Sequence, residues 1–242
     1  MLNSYKEFSQ IYDLLMDDID YGKWTSFIIN KIGDSRKILE AACGTGSITR
    51  LLANNNYKVT AFDLSQDMLM RAYEKLGRNS GVKLLNMDMS NFKIDDKFEA
   101  AICCCDGINY ITEDQVRMYF HNVFDHINKN SWFIFDISTE YKYDSLFNDT
   151  YVYDDGQIFY VWENIMDEQN NAVNMEINFF IKDSEYKYTR INEIQTQYVH
   201  NTETIKRLLL ETGFTCIEIY DDYNEKSYNE KSLRVVFCAK KN

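Results

Sequence analysis

The segment Leu39-Glu-Ala-Ala-Cys-Gly-Thr-Gly46 decides the fold of this 242-residue chain. It joins a short predicted strand, 36–42, to a predicted helix that runs through Leu51 and Leu52. Small residues between a strand and a helix let the backbone turn sharply and let a ligand approach closely. A tight turn without a ligand has the same composition. The segment therefore predicts the turn and leaves the ligand to be argued from its surroundings.

Strands and helices alternate on both sides of this turn. Apolar spacings of three and four predict helices within residues 1–33, and Ser65 is a predicted N-cap of a later helix. Further strands are predicted at 58–62, 82–85, 98–104 and 132–135, with a helix over 113–127. This alternation is typical of a parallel sheet built from right-handed crossovers.

The alternation breaks near residue 139. Four extended segments with polar turns between them predict an antiparallel sheet, at 150–153, 158–164, 172–181 and 188–199. A helix capped by Thr202 or Thr204 and ended by Gly213 follows, and two strands at 215–220 and 233–239 close the chain. We therefore expect an α/β core from residues 1–139 and 201–242, interrupted by an antiparallel β insert at 140–200.

The composition argues against several classes of protein, among them nucleic-acid-binding and membrane-spanning proteins. The net charge of −12 lacks the basic footprint of a nucleic-acid-binding protein. Six cysteines without a Cys-x-x-Cys pair predict neither a disulfide framework nor a metal site. The sequence contains no run of 18 or more apolar residues, so no membrane span is predicted. Residues 1–13 lack the basic and apolar regions of a signal peptide. These features favour the cytoplasm.

Three acidic residues lie near the carboxyl ends of predicted strands. Glu40 belongs to the first strand, Asp63 ends the second and Asp88 follows the third. The carboxyl ends of parallel strands share one sheet edge, where open α/β folds bind ligands. An acid about twenty residues after a glycine turn can accept hydrogen bonds from both hydroxyls of a ribose. The set predicts a site for a ribose-containing ligand.

The turn does not have a dinucleotide fingerprint. Thr49 stands where the third glycine of that motif would be, which counts against NAD and FAD. The Gly-Lys-Ser/Thr of a phosphate-binding loop is missing as well. A carboxylate such as Glu40 beside the ligand would repel a phosphate and attract a cation.

Three motifs in order, Glu40-x-x-Cys-Gly-Thr-Gly46, Ala61-Phe-Asp-Leu-Ser-x-x-Met-Leu69 and Asn86-Met-Asp-Met89, resemble those of class I S-adenosylmethionine (SAM)-dependent methyltransferases. The resemblance covers residues 36–138 well and the last forty residues loosely. It implies a Rossmann-like fold with a mixed seven-stranded sheet flanked by helices, here with an inserted antiparallel β-sheet. The departures are Glu40, where Asp is commoner, and Ala42 in place of the first glycine.

The resemblance also implies roles for single residues. The loop from Glu40 to Gly46 would hold the methionyl part of SAM. Asp63 would bind the ribose, Leu64 would lie against the adenine, and Asp88 would take the adenine amino group. The cofactor-binding residues implied are Tyr12, Glu40, Ala42, Cys43, Gly44, Gly46, Asp63, Leu64, Met68, Asp88, Met89, Cys104 and Cys105.

Catalytic candidates are fewer. Asp106 follows the fourth strand, where the methyl group would leave, and His200 ends the last strand of the insert. Tyr12 belongs to a segment similar to the lid helix of small-molecule methyltransferases, where it would cover the cofactor or orient an acceptor. His121 and His126 are expected to be structural, and Tyr21 is expected to pack the lid.

The insert is expected to determine the acceptor. It holds 13 of the 36 aromatic residues and a large excess of acidic over basic side chains. The alternative interpretation is a solvent-exposed sheet with one aromatic face in the core. Aromatic faces and carboxylates attract cations, so the composition favours a small polar acceptor such as an amine.

Other functions stay open from the sequence. An RNA-directed methyltransferase is disfavoured because the chain contains no proline, and base-methylating relatives use Pro-Pro or Pro-Cys loops. A protein with a net negative charge also gains little from displacing the cations that surround nucleic-acid phosphates. One alternative is a non-catalytic SAM-binding protein, which is tested by whether S-adenosylhomocysteine is released from SAM. Another is a nicotinamide-dependent dehydrogenase, which is tested by whether the protein binds SAM or NADH. The chain is expected to be a monomer or a homodimer, since edges of the insert sheet could pair.

Overall fold

The computed structural model of the protein describes residues 4–77, 81–146 and 150–242. Two helices, α1 and α2, precede an alternation of five strands with helices, and the insert and a closing helix with two strands follow. In chain order the elements are α1 (Ser4–Leu15), α2 (Tyr21–Ile32), β1 (Lys37–Ala41), α3 (Ser47–Asn54), β2 (Lys58–Asp63), α4 (Gln66–Leu76), β3 (Lys83–Asn86), β4 (Phe98–Cys103), α5 (Glu113–His126), β5 (Ile127–Ser138), α6 (Glu140–Leu146), β6 (Tyr151–Asp154), β7 (Ile158–Asp167), β8 (Ala172–Ser184), β9 (Lys187–Tyr198), α7 (Thr202–Thr212), β10 (Ile217–Asp221) and β11 (Arg234–Lys240).

Seven of these strands form one mixed sheet, which confirms the predicted fold class. Its order is β10-β11-β5-β4-β1-β2-β3. Neighbours from β5 through β4 and β1 to β3 are parallel, whereas β11 runs antiparallel to both β5 and β10. The five parallel strands therefore point their carboxyl ends at one edge of the sheet.

Helices cover both faces of this sheet because its central strands are apolar on both sides. On β5, Phe133 and Phe135 pack with residues of α5 and α7, while Ile134 packs with residues of α2 and α3. Successive side chains of a strand point to opposite faces, so an uninterrupted apolar strand must be buried on both.

The insert forms a separate four-stranded antiparallel sheet in the order β6-β7-β8-β9. Its inner face carries buried residues such as Ile177 and Phe179, while its outer face carries a polar ladder that includes the Asn192–Glu176 hydrogen bond. The alternation of buried and polar residues along β8 and β9 is the pattern of a sheet that is buried on one face.

The structure corrects two details of the segment assignment. Residues 140–146, at the start of the predicted β insert, form the helix α6. Asn201, and not Thr202 or Thr204, caps α7, because its side-chain oxygen accepts hydrogen bonds from the N–H groups of Glu203 and Thr204. The N-cap at Ser65 is confirmed by its hydrogen bond from the Met68 N–H, and Gly213 ends α7 in the left-handed conformation.

The inner face of the insert sheet lies over the carboxyl edge of the large sheet. Ile11 of α1, Met68 of α4 and Phe179 of β8 belong to one buried apolar cluster. The Asn109 side-chain amide, in the segment after β4, donates to the Tyr198 carbonyl oxygen at 3.0 Å. Within the described ranges, no helix is both long and apolar enough to cross a bilayer.

Candidate active site

A cleft opens at the carboxyl edge of the large sheet. The glycine turn after β1, the end of β4, and the helices α1 and α2 form its walls. The structure thereby brings together residues that are far apart in the chain. The lining residues are Tyr12, Tyr21, Glu40, Ala42, Cys43, Gly44, Thr45, Ser47, Ile48, Cys104 and Cys105.

The turn after β1 uses the left-handed conformation three times, at Ala42, Gly44 and Gly46. A Cβ atom at Gly46 would also lie 3.1 Å from the Ala72 Cβ atom, so α3 and α4 can pack this closely only with glycine there. Ala42 has φ of 50°, which costs a non-glycine residue about 1–2 kcal/mol. This explains why a glycine is the usual residue at that position of the motif.

Asp63, at the end of β2, is held beside this turn. One carboxylate oxygen accepts the Gly44 N–H at 2.8 Å and the other accepts the Ser65 N–H at 2.8 Å. Burial raises the pKa of Asp63, although these backbone hydrogen bonds oppose the shift. The carboxylate is therefore fixed in one orientation, and each oxygen keeps a lone pair for a ligand hydroxyl.

Glu40 is a buried carboxyl group with an unsatisfied atom. Its Oε2 atom has no hydrogen-bond partner among the described residues, and the side chain lines the cleft. Burial raises the pKa of Glu40 to about 8, and the nearby Asp63 carboxylate adds to the shift. A buried acid that lacks a cation fits a ligand that brings a positive charge, as the ammonium and sulfonium groups of SAM do.

Six predicted cofactor residues lie outside the lining of this cleft. Two of them adjoin it, since Gly46 lies between the lining residues Thr45 and Ser47, and Asp63 accepts the Gly44 N–H. The other four are Leu64, Met68, Asp88 and Met89. Leu64 follows Asp63 and is 71% exposed, and the Asp88 carboxylate accepts the N–H and hydroxyl of Ser90 at 2.7 Å. Met89 follows Asp88 in a short 3-10 helix. Met68 instead packs between α1 and the insert sheet, so its place is structural. The adenine roles of Leu64, Asp88 and Met89 stay predictions.

Asp106 occupies a buried turn after β4 with its carboxylate fully engaged. Its Oδ2 atom accepts from the Gln197 side chain at 2.9 Å, and its Oδ1 atom accepts from Arg234 at 3.2 Å. Burial alone would raise the pKa of Asp106, but Arg234 and Lys142 bring it down to about 2. Such a carboxylate is a poor proton acceptor, which argues against the predicted role of Asp106 as a base.

His200 holds the same segment from the other side. Its Nε2 atom lies 3.0 Å from the Ile111 carbonyl oxygen and 3.2 Å from that of Ile108. Both partners are acceptors, so Nε2 carries the proton and donates it. Burial lowers the pKa of His200, which keeps the ring neutral. The geometry thus gives His200 a structural place and not that of the predicted base.

Two phenol groups enter the cleft from the N-terminal helices. Burial raises the pKa of Tyr12 and of Tyr21, and the neighbouring Cys105 raises both further, so both phenols are neutral. Tyr21, which the sequence suggested as a packing residue of the lid, lines the cleft. The Asp13 carboxylate fastens α1 to the glycine turn, because it accepts the Thr45 hydroxyl at 2.6 Å and the Lys75 ammonium at 2.8 Å.

Gly107 marks a close approach between the two loops of the cleft. A Cβ atom there would lie 2.8 Å from the Cys103 sulfur and 3.0 Å from the Ala42 Cβ atom. We expect Gly107→Ala to lower the free energy of unfolding by about 1–3 kcal/mol, as overpacking does, measured by thermal denaturation. Gly22→Ala is the control, since its added methyl group meets only an Asp20 side-chain oxygen. Equal stabilities of Gly107→Ala and wild type would contradict the close packing.

Comparisons with known proteins agree with this architecture. A methyltransferase domain model matches residues 38–130. The crystal structure of a SAM-dependent methyltransferase from Clostridium acetobutylicum ATCC 824 is 35% identical, with a TM-score of 0.89, and covers 99% of this chain and 100% of that one. A Geobacillus sp. (strain WCH70) protein named "Putative methyltransferase" is 30% identical over 98% of this chain and 100% of its own. SAM-bound CalS10, an amino pentose methyltransferase from Micromonospora echinaspora, shares the fold at 16% identity and a TM-score of 0.77, over 96% of this chain and 97% of its own.

The sheet order, the glycine turn and the acidic strand ends define a Rossmann-like enzyme that binds an adenosyl ligand. The chain belongs to the class I SAM-dependent methyltransferase family. It is an enzyme, and SAM is its methyl donor.

Proposed function

We propose that the protein transfers the methyl group of SAM to the nitrogen of a small amine bound beneath the insert sheet. The observation that carries this proposal is the junction between that sheet and the cleft. Gln197 of β9 donates to Asp106 at 2.9 Å, and the Tyr110 hydroxyl donates to Gln195 of β9 at 2.9 Å. These contacts support the insert, 140–200, as the roof of an acceptor site, joined to a cofactor-binding core of residues 1–139 and 201–242.

The roof has the chemistry of a cation site. Glu193 is fully buried on β9, and it shares the inner face with Trp162 and Tyr160 of β7. Aromatic rings and a carboxylate in a dry site stabilise the positive charge that develops on an amine nitrogen as it takes the methyl group, so they favour an amine over an anionic acceptor.

For the donor, we propose the placement that the cleft supports. Glu40 and the turn from Ala42 through Cys43 and Gly44 to Gly46 would hold the methionyl part, and Asp63 would hold the ribose. Cys104 and Cys105 would lie beside the sulfonium, with Tyr12 covering it. When bound, SAM supplies an electrophilic methyl group. The protein aligns the acceptor with that group and excludes water, which can contribute several kcal/mol to the lowering of the barrier.

The acceptor must arrive as a free amine because the chain offers no suitable base among the candidates. Asp106 is ionised with a pKa of about 2, and His200 and Tyr12 are neutral donors. With SAM saturating, we expect kcat/KM to rise with pH and to level off at the acceptor's own pKa. A series of amines of different basicity tests this, because the midpoint should move with the amine. A fixed midpoint shared by all amines would point to a titrating protein group instead.

The experiment that tests the proposed function is the release of S-adenosylhomocysteine (SAH) from SAM, with a panel of small amines, amino sugars among them. Matched alcohols and carboxylic acids of equal size serve as controls, and RNA is tested in the same assay. Turnover with amines alone supports the proposal. Turnover with RNA, or with the alcohols and not the amines, would overturn it. Amino sugars are included because CalS10, which shares this fold, is named as an amino pentose methyltransferase.

A further inference from the structure

We propose that Asp136 is a positioning residue for methyl transfer, which holds the turn Cys105–Asp106 against the cleft in a conformation that it would not keep alone. Cys105 lines the cleft, whereas Asp136 is fully buried on β5 and is not part of the lining. The inference rests on the proposed placement of SAM, and it does not depend on which acceptor is methylated.

The turn is strained. Cys105 has φ of 59° and Asp106 has φ of 48°, so two successive non-glycine residues occupy the left-handed region. Their Cβ atoms make this region unfavourable, and such residues persist only where the surroundings over-determine them. Something outside the turn must therefore hold it.

Asp136 supplies that hold through the backbone of the turn. Its Oδ2 atom accepts the Asp106 N–H at 2.9 Å, and its Oδ1 atom accepts the Tyr223 hydroxyl at 2.7 Å. The Asn109 N–H then donates to the Asp106 carbonyl oxygen at 2.9 Å, which closes the turn on its other side. Losing the Asp136 carboxylate would leave a buried N–H without its acceptor at the point of strain.

Arg234 locks the carboxylates of Asp136 and Asp106 together. It reaches both from β11, the strand that runs antiparallel to β5, and its guanidinium lies 4.9 Å from the centre of the Trp24 ring. Trp24 in turn stacks on Tyr223 at 4.4 Å. We call Asp136 and Arg234 together the clamp. The clamp joins the C-terminal strand and α2 to the turn that faces the cleft.

The test compares Asp136→Asn with Tyr223→Phe in the full chain. The carboxamide keeps the size of Asp136 but carries no charge, so it accepts a weaker hydrogen bond from the Asp106 N–H and no longer forms an ion pair with Arg234. Tyr223→Phe removes a hydrogen bond from the same carboxylate and leaves the turn's own bond in place. We expect both variants to lower the melting temperature, and Asp136→Asn alone to weaken SAH binding at least tenfold by calorimetry.

A double substitution separates positioning from stability. Glycine adopts positive φ without a penalty, so in the Cys105→Gly variant a further Asp136→Asn change should weaken SAH binding less than it does in wild type. Equal SAH affinities for Asp136→Asn and wild type would overturn the inference. So would equal weakening by Asp136→Asn and Tyr223→Phe, or equal weakening by Asp136→Asn in both backgrounds.

Hydrogen exchange in the ligand-free wild-type protein gives a test that needs no variant. The Asp106 amide should exchange at least 100-fold more slowly than an exposed loop amide, because its hydrogen bond to Asp136 is buried. Exchange at the rate of an exposed loop would overturn the clamp even if Asp136→Asn fails to fold. A protected Asp106 amide in a protein that does not bind SAH would instead retain the clamp and refute the placement of SAM.

Discussion

Replacing Asp63 with alanine is expected to weaken the binding of SAH at least 100-fold, which corresponds to about 2.7 kcal/mol. The carboxylate is held by the Gly44 and Ser65 N–H groups, each at 2.8 Å, with a lone pair left on each oxygen for a ribose hydroxyl. Hydrogen bonds to a charged group contribute about 1.5–3 kcal/mol each. The substitution also removes the partner of the Gly44 N–H and so loosens the glycine turn.

Titration calorimetry with SAH measures this effect. Asp96→Ala is the matched control, because it removes the same charge from an exposed carboxylate that pairs with Lys37 at the start of β1, away from the cleft. We expect the control to bind as wild type does. An Asp63→Ala protein that binds SAH within threefold of wild type would show that the ribose lies elsewhere.

Replacing Glu40 with glutamine is expected to stabilise the ligand-free protein at high pH and not at low pH. Burial raises the pKa of Glu40 from its ordinary 4.5 to about 8. The folded state therefore holds a proton that the unfolded state releases, and the resulting stability is lost as pH rises from about 5 through 8. Glutamine has no proton to lose, so Glu40→Gln should gain about 2–5 kcal/mol over wild type at pH 9 and about none at pH 5.

Denaturant unfolding at both pH values tests this prediction, with Glu74→Gln on the exposed face of α4 as the control. The same substitution changes the pH dependence of SAM binding. A cationic ligand favours the ionised carboxyl, so SAM binding to wild type should release a proton below pH 8 and strengthen as pH rises towards 8. Glu40→Gln should bind SAM more weakly at pH 8 and lose this dependence. An unchanged pH profile would show that Glu40 does not face the charge of the ligand.

Much of the fold can be predicted from local sequence, because hydrophobic period and turn residues act over short distances. The strand starting at Lys58, the N-cap at Ser65 and the C-terminal glycine at 213 needed only neighbouring residues. Helix α6 was missed because its seven residues have too few apolar positions for a clear period. The N-cap Asn201 was missed although asparagine favours this position as much as any residue.

The candidate site also contains some residues that local sequence predicts and others that only the tertiary structure brings together. The glycine turn and Asp63 each belong to a short motif that can be recognised from its own residues, and the hydrogen bond from the Gly44 N–H to Asp63 joins the two motifs beside the cleft. The contacts of Asp106 depend on Arg234, Asp136 and Gln197, which are 128, 30 and 91 residues away from it. Only the pairing of β5 with β11 and the docking of the insert bring them together. One signal was present, since an acid inside the apolar run Trp132–Ser138 must find a partner when it is buried.

Met68 shows the opposite case. It lies on the apolar face of α4 together with Ala72, and both residues are buried. The partners of Met68 are Ile11 and Phe179, from the N-terminal helix and the insert sheet. An apolar stripe predicts that a helix face is covered, but it does not predict which part of the protein covers it. The motif therefore suggested a contact with the cofactor, whereas in the structure Met68 packs against other side chains.

In the proposed complex, SAM occupies the cleft with its methyl group directed beneath the insert sheet. The most direct test is a crystal structure of the full chain with SAH. We predict that the ribose hydroxyls lie on Asp63 and that the sulfur lies between the glycine turn and Cys104–Asp106, open towards the inner face of the insert. A sulfur atom that faces away from the insert sheet, or a ribose bound by residues other than Asp63, would contradict the account.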